Sequence, residues 1–490
     1  MIRYGGLRWS TRFGIGSSAA ALLLTTAIAA APAAPQVITI DQTQAGPAFS
    51  TGSLGLSYEA FDLSLPNFAN GNLAQYMKTL GTSTVRIGGN TVDETFWTSN
   101  GETAPSWSMA TITPASLTAL GNLARASGWK VILGVNLKHL DAARAGDEAA
   151  HAVTALGSSL RAIEIGNEPD LYPQYSSNTS QYFTDFQSYV AAINKAAPGV
   201  AIVGSDAAAA PDSTFQNTFA SKQKALGHPD IAELTNHFYP LVSNTCGGSP
   251  TISDLLGTTT RNAEKSVADA MAAQARNVGV PGVFDEGNSV VCEGQANVSN
   301  VYASALWEID DQLVLAREGA AGDYEHGTVV QCGSPKPLYM FYTPLCAATA
   351  AEATAGNVVA QPEYYGMAAV QQIGAGTFVG VSNPVWATVR GYAITHPNGT
   401  LTVVLDDVQD PASNGATTVQ LALGGTYHSG SRVNLTAGSL TATSGITLGG
   451  QTVAANGILP APATVPVTVN GSTLNVTVNA GSAAFLTLAH

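Results

Sequence analysis

Between residues 52 and 375, short apolar runs alternate eight times with longer stretches of helical spacing, and this alternation constrains the fold of the 490-residue chain more than any other feature. The apolar runs are Leu54–Tyr58, Thr84–Ile87, Val131–Val135, Ala162–Ile165, Ala201–Val203, Glu233–Phe238, Gly282–Phe284 and Ala321–Tyr324. Segments such as Ser180–Ala196, Asp254–Asn277 and Asn297–Arg317 lie between them, Ala-rich and spaced as helices. A strand, a helix and a further strand make the unit of a parallel sheet. Eight such units predict an α/β fold, a closed (β/α)8 TIM barrel.

After Gly374 the texture changes to β-prone stretches such as Val385–Ile394 and Leu401–Leu405, separated by Asn-Gly and Pro turns. This pattern predicts a C-terminal β-sandwich over 376–490. Val37-Ile-Thr-Ile40 also alternates, so residues 35–51 are expected to add a strand to that sandwich. The barrel occupies 52–375. Ahead of it, Arg3, Arg8 and Arg12 precede the charge-free run Ile15–Ala31, and small residues follow. Residues 1–34 therefore read as a signal peptide cleaved between Ala29 and Ala34, with no stable membrane anchor and a secreted or periplasmic product.

Composition narrows the partners. Hydrophobic residues make up 45% and charged residues 11%, against roughly 25% charged in ordinary globular proteins, so a large buried core is expected. The formal net charge of -14 repels phosphate backbones and anionic membrane surfaces, which excludes nucleic acid as a natural partner. A sugar carboxylate remains open, because a few local donors decide its recognition. Four cysteines in an exported chain predict two disulfides. Of the three pairings, Cys246 with Cys292 and Cys332 with Cys346 is favoured, the second pair being close in sequence.

Two apolar strands run directly into carboxylates. Arg161-Ala-Ile-Glu-Ile-Gly-Asn-Glu-Pro-Asp170 ends in Asn167-Glu168-Pro169, and Gly282-Val-Phe-Asp-Glu-Gly-Asn288 ends in Asp285-Glu286, three units later. Catalytic groups of a barrel sit at the C-terminal strand ends. Desolvation there keeps a Glu protonated, ready to donate to a leaving oxygen. A second carboxylate can attack the anomeric carbon, and a separation of about 5 to 5.5 Å gives retention. Position alone does not separate Asp285 from Glu286. No His-Glu-x-x-His, Cys-x-x-Cys or Gly-Lys-Ser/Thr element occurs, and the eight histidines are scattered, so neither a metal nor another cofactor is expected.

These residues, taken with Leu56-Ser-Tyr-Glu59, Val85-Arg-Ile-Gly-Gly-Asn-Thr-Val-Asp93, Glu233-Leu-Thr-Asn-His-Phe-Tyr239, Ala303–Asp310 and Gln361-Pro-Glu-Tyr-Tyr-Gly366, resemble glycoside hydrolase family 79 of clan A. The family comprises β-glucuronidases and heparanases. The resemblance implies that Glu168 is the acid/base, Glu286 the nucleophile, Asn167 a ligand of the sugar 2-hydroxyl and Tyr239 the hydroxyl that orients the nucleophile. It implies that Arg86 keeps the nucleophile ionised, as an adjacent positive charge would, and that Glu59 and Asp93 bind sugar hydroxyls. Gly322-Asp-Tyr-Glu-His326 resembles the stretch that receives the substrate carboxylate, through the Gly322 amide and the Tyr324 hydroxyl, with His326 as a cationic partner. The loop Asn288–Gly294 lacks the tyrosine and consecutive glycines of heparanase-like members, which argues against sulfated endo-substrates. The expected activity is a secreted, retaining exo-β-glucuronidase acting on a uronic-acid-bearing carbohydrate. The alternatives are a neutral exo-β-glycosidase on the same scaffold and a non-catalytic carbohydrate-binding protein.

Overall fold

The computed structural model describes residues 35–490 apart from 66 and 335–338, so the expected signal peptide lies outside the described residues. Among the described residues, eight parallel strands close a barrel: Leu54–Glu59, Thr84–Gly88, Lys130–Val135, Leu160–Ile165, Ile202–Ala207, Glu233–Phe238, Gly282–Gly287 and Gly322–Gly327. Each pairs with the next, and the eighth pairs with the first in the register Tyr324 with Gly55 and His326 with Ser57. Val131–Val135 is buried at every position, because one face of a barrel strand meets the interior and the other meets the helices. The helices follow cap chemistry. Asp141 opens Ala142–Leu156 by accepting from the Arg144 amide at 2.9 Å. Gly257 splits the long helix expected from Asp254 into Ile252–Leu255 and Thr258–Val278.

The eighth strand is longer than its sequence suggests. Alternation in Gly322-Asp-Tyr-Glu-His-Gly327 turns Tyr324 and His326 into the barrel and Asp323 and Glu325 outward, where the Gln312 amide of helix Tyr302–Glu318 donates to both. No apolar run marks such a strand.

The C-terminal part is a curled, mostly antiparallel sheet that includes Gly376–Ser382, Val389–Thr395, Leu401–Asp407, Thr417–Thr436, Val465–Val478 and Ser482–Ala489. The N-terminal strand Gln36–Phe49 joins it, antiparallel to Gly376–Ser382 and parallel to the start of Thr417–Thr436. The sheet encloses a core of its own around Ile38, Ile40, Val403, Leu421, Val476 and Leu486. Phe378, Ile394, Val404 and Phe485 belong instead to the core shared with the barrel. The buried ion pair of Arg390 with Asp310, on helix Tyr302–Glu318, fixes the junction. Disulfides join Cys246 to Cys292 and Cys332 to Cys346. The first lies just beyond the sixth and seventh strands, where Leu241–Val242 pairs with Val290–Val291.

Candidate active site

Arg86, on the second strand, stands at the centre of the barrel mouth with no exposed surface. Its Nε donates to Glu164 Oε2 at 2.7 Å and its Nη1 to Glu286 Oε2 at 2.6 Å, while Nη2 reaches Asn167 Oδ1 at 2.9 Å and Asp206 Oδ2 at 2.9 Å. Inward positions of the fourth, fifth and seventh strands thus converge on one guanidinium, whose fixed fork suits several carboxylates at once. Nothing local in the sequence marks Glu164 or Asp206, since one acid inside an apolar strand carries no signal of its own.

A register shift between Phe284 and Glu286 separates the two candidates on the seventh strand. Such an irregularity re-aims side chains. Asp285 is directed into the closed interior, fully buried, and burial pushes it up to about 6. Glu286 instead keeps a small exposed surface, 4%, and meets groups on other strands. The Tyr239 hydroxyl donates to Glu286 Oε1 at 2.9 Å, and His237 Nδ1 lies 3.6 Å from the same atom.

Glu168 follows the fourth strand at φ 47, a left-handed conformation that is costly for a residue with a side chain. Its amide donates to Asp206 O at 2.9 Å, which holds the turn. His237 lies between the two glutamates, with Nδ1 3.0 Å from Glu168 Oε1 and Nε2 2.6 Å from Asp206 Oδ1. One oxygen of Glu168, one of Glu286 and a His237 nitrogen all lie within 4.8 Å of one another. That spacing would suit a metal, but Arg86 and His237 already supply the positive charge there. His237 sits inside a recognised sequence motif, yet nothing local in the sequence marks its bridging position.

The two glutamates are pushed in opposite directions. Burial raises Glu168, with Glu286 and Asp206 adding to the rise and His237 opposing it. Burial also penalises the Glu286 anion, but His237, His326 and Arg86 outweigh it and hold Glu286 well below the ordinary carboxylate range. Burial lowers His237 as well, and Glu286 and Asp206 more than reverse this, so its imidazole is held as a cation.

The remaining expected residues divide. Glu59 ends the first strand and accepts from the Thr91 amide at 2.8 Å; His326 stands beside it, Nε2 3.4 Å from Glu59 Oε1 and Nδ1 3.7 Å from Glu286 Oε2. Asp93 accepts from the Tyr172 hydroxyl and the Lys138 amide, and burial pushes it up to about 6. It lines a cavity of about 310 Å³ with Glu168 and Lys138, while a second cavity of about 460 Å³ opens on the other side of Glu168, against His237 and Tyr239. Gly322 and Tyr324 do not reach the mouth, contrary to expectation. The strand runs three residues past Tyr324, whose ring packs on Ile132, Ala162, Val203 and Val283 in the barrel floor. Gly322 lies against that ring.

Residues 391–485 match the glycosyl hydrolase family 79 C-terminal beta domain. Comparison with curated protein sequences found no match. Among solved structures, a 4-O-alpha-L-rhamnosyl-beta-D-glucuronidase from Fusarium oxysporum is 20% identical with a TM-score of 0.73, the alignment covering 92% of this chain and 100% of that one. A family 51 arabinofuranosidase from Xanthomonas axonopodis is 14% identical over 92% of this chain and 99% of its own, with a TM-score of 0.65. A beta-xylosidase from Caulobacter crescentus is 13% identical over 93% and 99%, at a TM-score of 0.60. At these identities the likeness establishes the fold.

Proposed function

We propose that this chain, a glycoside hydrolase carrying the family 79 C-terminal domain, is a retaining exo-β-glucuronidase in which Glu168 is the acid/base and Glu286 the nucleophile. The observation that carries the reading is the pair of glutamates with an oxygen of each within 4.8 Å, Glu286 met by Arg86 and Tyr239 and Glu168 by His237, a setting that pushes the two in opposite directions. One oxygen of each within that distance is in keeping with the closer carboxyl spacing, about 5 to 5.5 Å, of retaining glycosidases. Glu286 attacks the anomeric carbon as Glu168 protonates the departing oxygen, giving a glycosyl ester and a free alcohol. Glu168, now a carboxylate, then takes a proton from water, and the resulting hydroxide displaces Glu286 with a second inversion. Tyr239 and Arg86 orient and stabilise the Glu286 carboxylate, and His237 couples the two glutamates. Asn167, Glu59 and Asp93 meet sugar hydroxyls. The two disulfides suit an exported enzyme. Among the described residues no helix is long and apolar enough to cross a membrane.

Uronic acid is favoured by the matched C-terminal domain and by the printed activity of the Fusarium oxysporum neighbour. With Gly322 and Tyr324 in the floor, His326 is the remaining expected donor to a substrate carboxylate. A neutral exo-β-glycosidase is the second reading, favoured because His326 already faces the carboxylates of Glu59 and Glu286. A panel of aryl β-glycosides differing only at C5 decides between the two. Preference for the glucuronide over the glucoside and xyloside supports the first reading, and equal or better glucoside hydrolysis overturns it. Azide should rescue Glu286→Ala as a glycosyl azide of inverted configuration; loss of activity without rescue, beside an active Asp285→Ala control, would contradict the assignment.

A further inference from the structure

A third cavity of about 280 Å³ adjoins the cleft on the side of the second and third barrel strands. The chain passes from one space into the other: Asp93, Glu94 and Lys138 line the cleft with Glu168, and the following Thr95, Phe96, Trp97 and His139 line the third cavity. Its walls are set firmly. The Trp107 ring lies flat on His139, centroids 3.7 Å apart and planes 9° apart, and Phe96 meets Trp107 edge-on at 6.1 Å. Arg144 lies 4.5 Å from the Phe96 centroid and is occupied by Glu102 at 2.6 Å and Asp141 at 3.1 Å.

Glu148 is different. It lines the same cavity, is 5% exposed, and among the described residues its carboxyl accepts no hydrogen bond from the protein. A buried carboxyl without a partner is costly unless something in the cavity meets it. Burial, with Asp147 adding to it, pushes it up to about 8, so at lower pH it is an acid that can both donate and accept. Leu140, 55% exposed, adds an apolar surface to the lining. Aromatic and apolar walls around a neutral donor-acceptor fit a sugar ring with hydroxyl groups. A second uronate fits poorly, since Glu102 and Asp141 already occupy the one guanidinium.

We propose that this cavity binds an uncharged pyranose of the same glycan, beyond the residue cleaved in the cleft; the proposal rests on the glycosidase reading above. The ring can come from the leaving-group side or from a cap on the cleaved sugar, and three probes separate these sources. They are 4-nitrophenyl β-D-glucuronide, the same glycoside with a neutral hexose on its 4-hydroxyl, and glucuronic acid linked to a neutral galactotriose. The expected result is that Trp107→Ala and Glu148→Gln each lower kcat/KM about tenfold on one extended probe, chiefly through KM, and leave the simple glucuronide unchanged. The probe affected identifies the source. Equal loss on all three probes, or no loss on either extended probe, overturns the proposal. Calorimetry with neutral galacto-, gluco- and xylo-oligosaccharides reads the cavity without catalysis. Binding by the wild type that Trp107→Ala abolishes supports the proposal even if no glucuronide is cleaved, in which case only the uronate reading fails. Absence of any such binding, together with inactivity on all probes, overturns both.

Discussion

Inside the barrel mouth, Glu164, Asp206 and Glu286 converge on Arg86, whereas on the outer side of the eighth strand Glu308, Asp311, Asp323, Glu325 and Glu363 converge on one another. All eight are buried. The outer five form two triplets that share Glu325, each with its oxygens within 4.8 Å. Their donors are neutral amides, Gln312 to Asp323 and Glu325, and Asn288 to Glu363 at 2.7 Å. Both oxygens of Glu308 lack a hydrogen-bond donor. Burial alone therefore does not fix ionisation: it raises Glu164 even beside Arg86, whereas the cations around Glu286 outweigh it. With Arg86 and two histidines beside it Glu286 stays an anion, while burial raises Glu308, Glu325 and Glu363 well above the usual range and pushes Asp323 up to about 7. Charge holds Glu286, and protons hold the outer layer.

The comparison breaks most severely if the cation is removed. Arg86→Met should lower kcat/KM by roughly a thousandfold or more and cost about 3 to 5 kcal/mol of stability, because it strands buried carboxylates. Steady-state kinetics and urea unfolding read the two effects. A variant of ordinary stability would mean that the carboxylates do not depend on the guanidinium.

The proton-held layer gives a smaller effect of opposite kind. Glu308→Gln replaces an acid that must stay neutral with an amide that can donate to the unpartnered oxygens of Glu325 and Glu363. It should leave stability at pH 4 unchanged and raise it by about 1 kcal/mol at pH 8. Destabilisation at both pH values would show that the cluster uses a charge at that position.

A further effect is on the wild type. Asp323 titrates near 3.8 when unfolded and at about 7 when folded, so between those values the folded state holds a proton that the unfolded chain has released. Its contribution is fully present below about pH 4 and is lost as pH rises to about 7, which should lower Tm by roughly 3 °C or more. Scanning calorimetry with and without a chelator checks this. A fall in Tm with chelator at constant pH would mean that a divalent cation, rather than protons, neutralises the layer.

The same contrast explains what the sequence disclosed. Apolar runs such as Val131–Val135 announce strands because both faces are apolar, and Asn167-Glu168-Pro169 and Asp285-Glu286 stand out as polar ends of such runs. The antiparallel texture after Gly374 and the two cysteine pairings were legible for similarly local reasons. Asp206, Glu164 and His237 were not, because their meaning lies in partners on other strands. The eighth strand misled for the opposite reason. Its outward acids hide a strand within a polar stretch, so the sequence suggests a rim at Tyr324, whereas the strand ends at His326 and Gly327.

The central claim, that two neighbouring glutamates are held in opposite ionisation states, is tested most directly by the pH dependence of kcat/KM on two aryl glycosides of the preferred sugar. One carries phenol and the other 2,4-dinitrophenol as leaving group. kcat/KM reports groups of the free enzyme. Only phenol needs a proton from Glu168, so its profile should fall on the alkaline side above the ordinary glutamate range, and the dinitrophenyl profile should lack that limb. Neither should show an acid limb near the ordinary carboxylate value, because Glu286 is held ionised below it. An identical alkaline limb for both leaving groups, or an acid limb near pH 4 to 5 as expected for an unperturbed glutamate, would contradict the account.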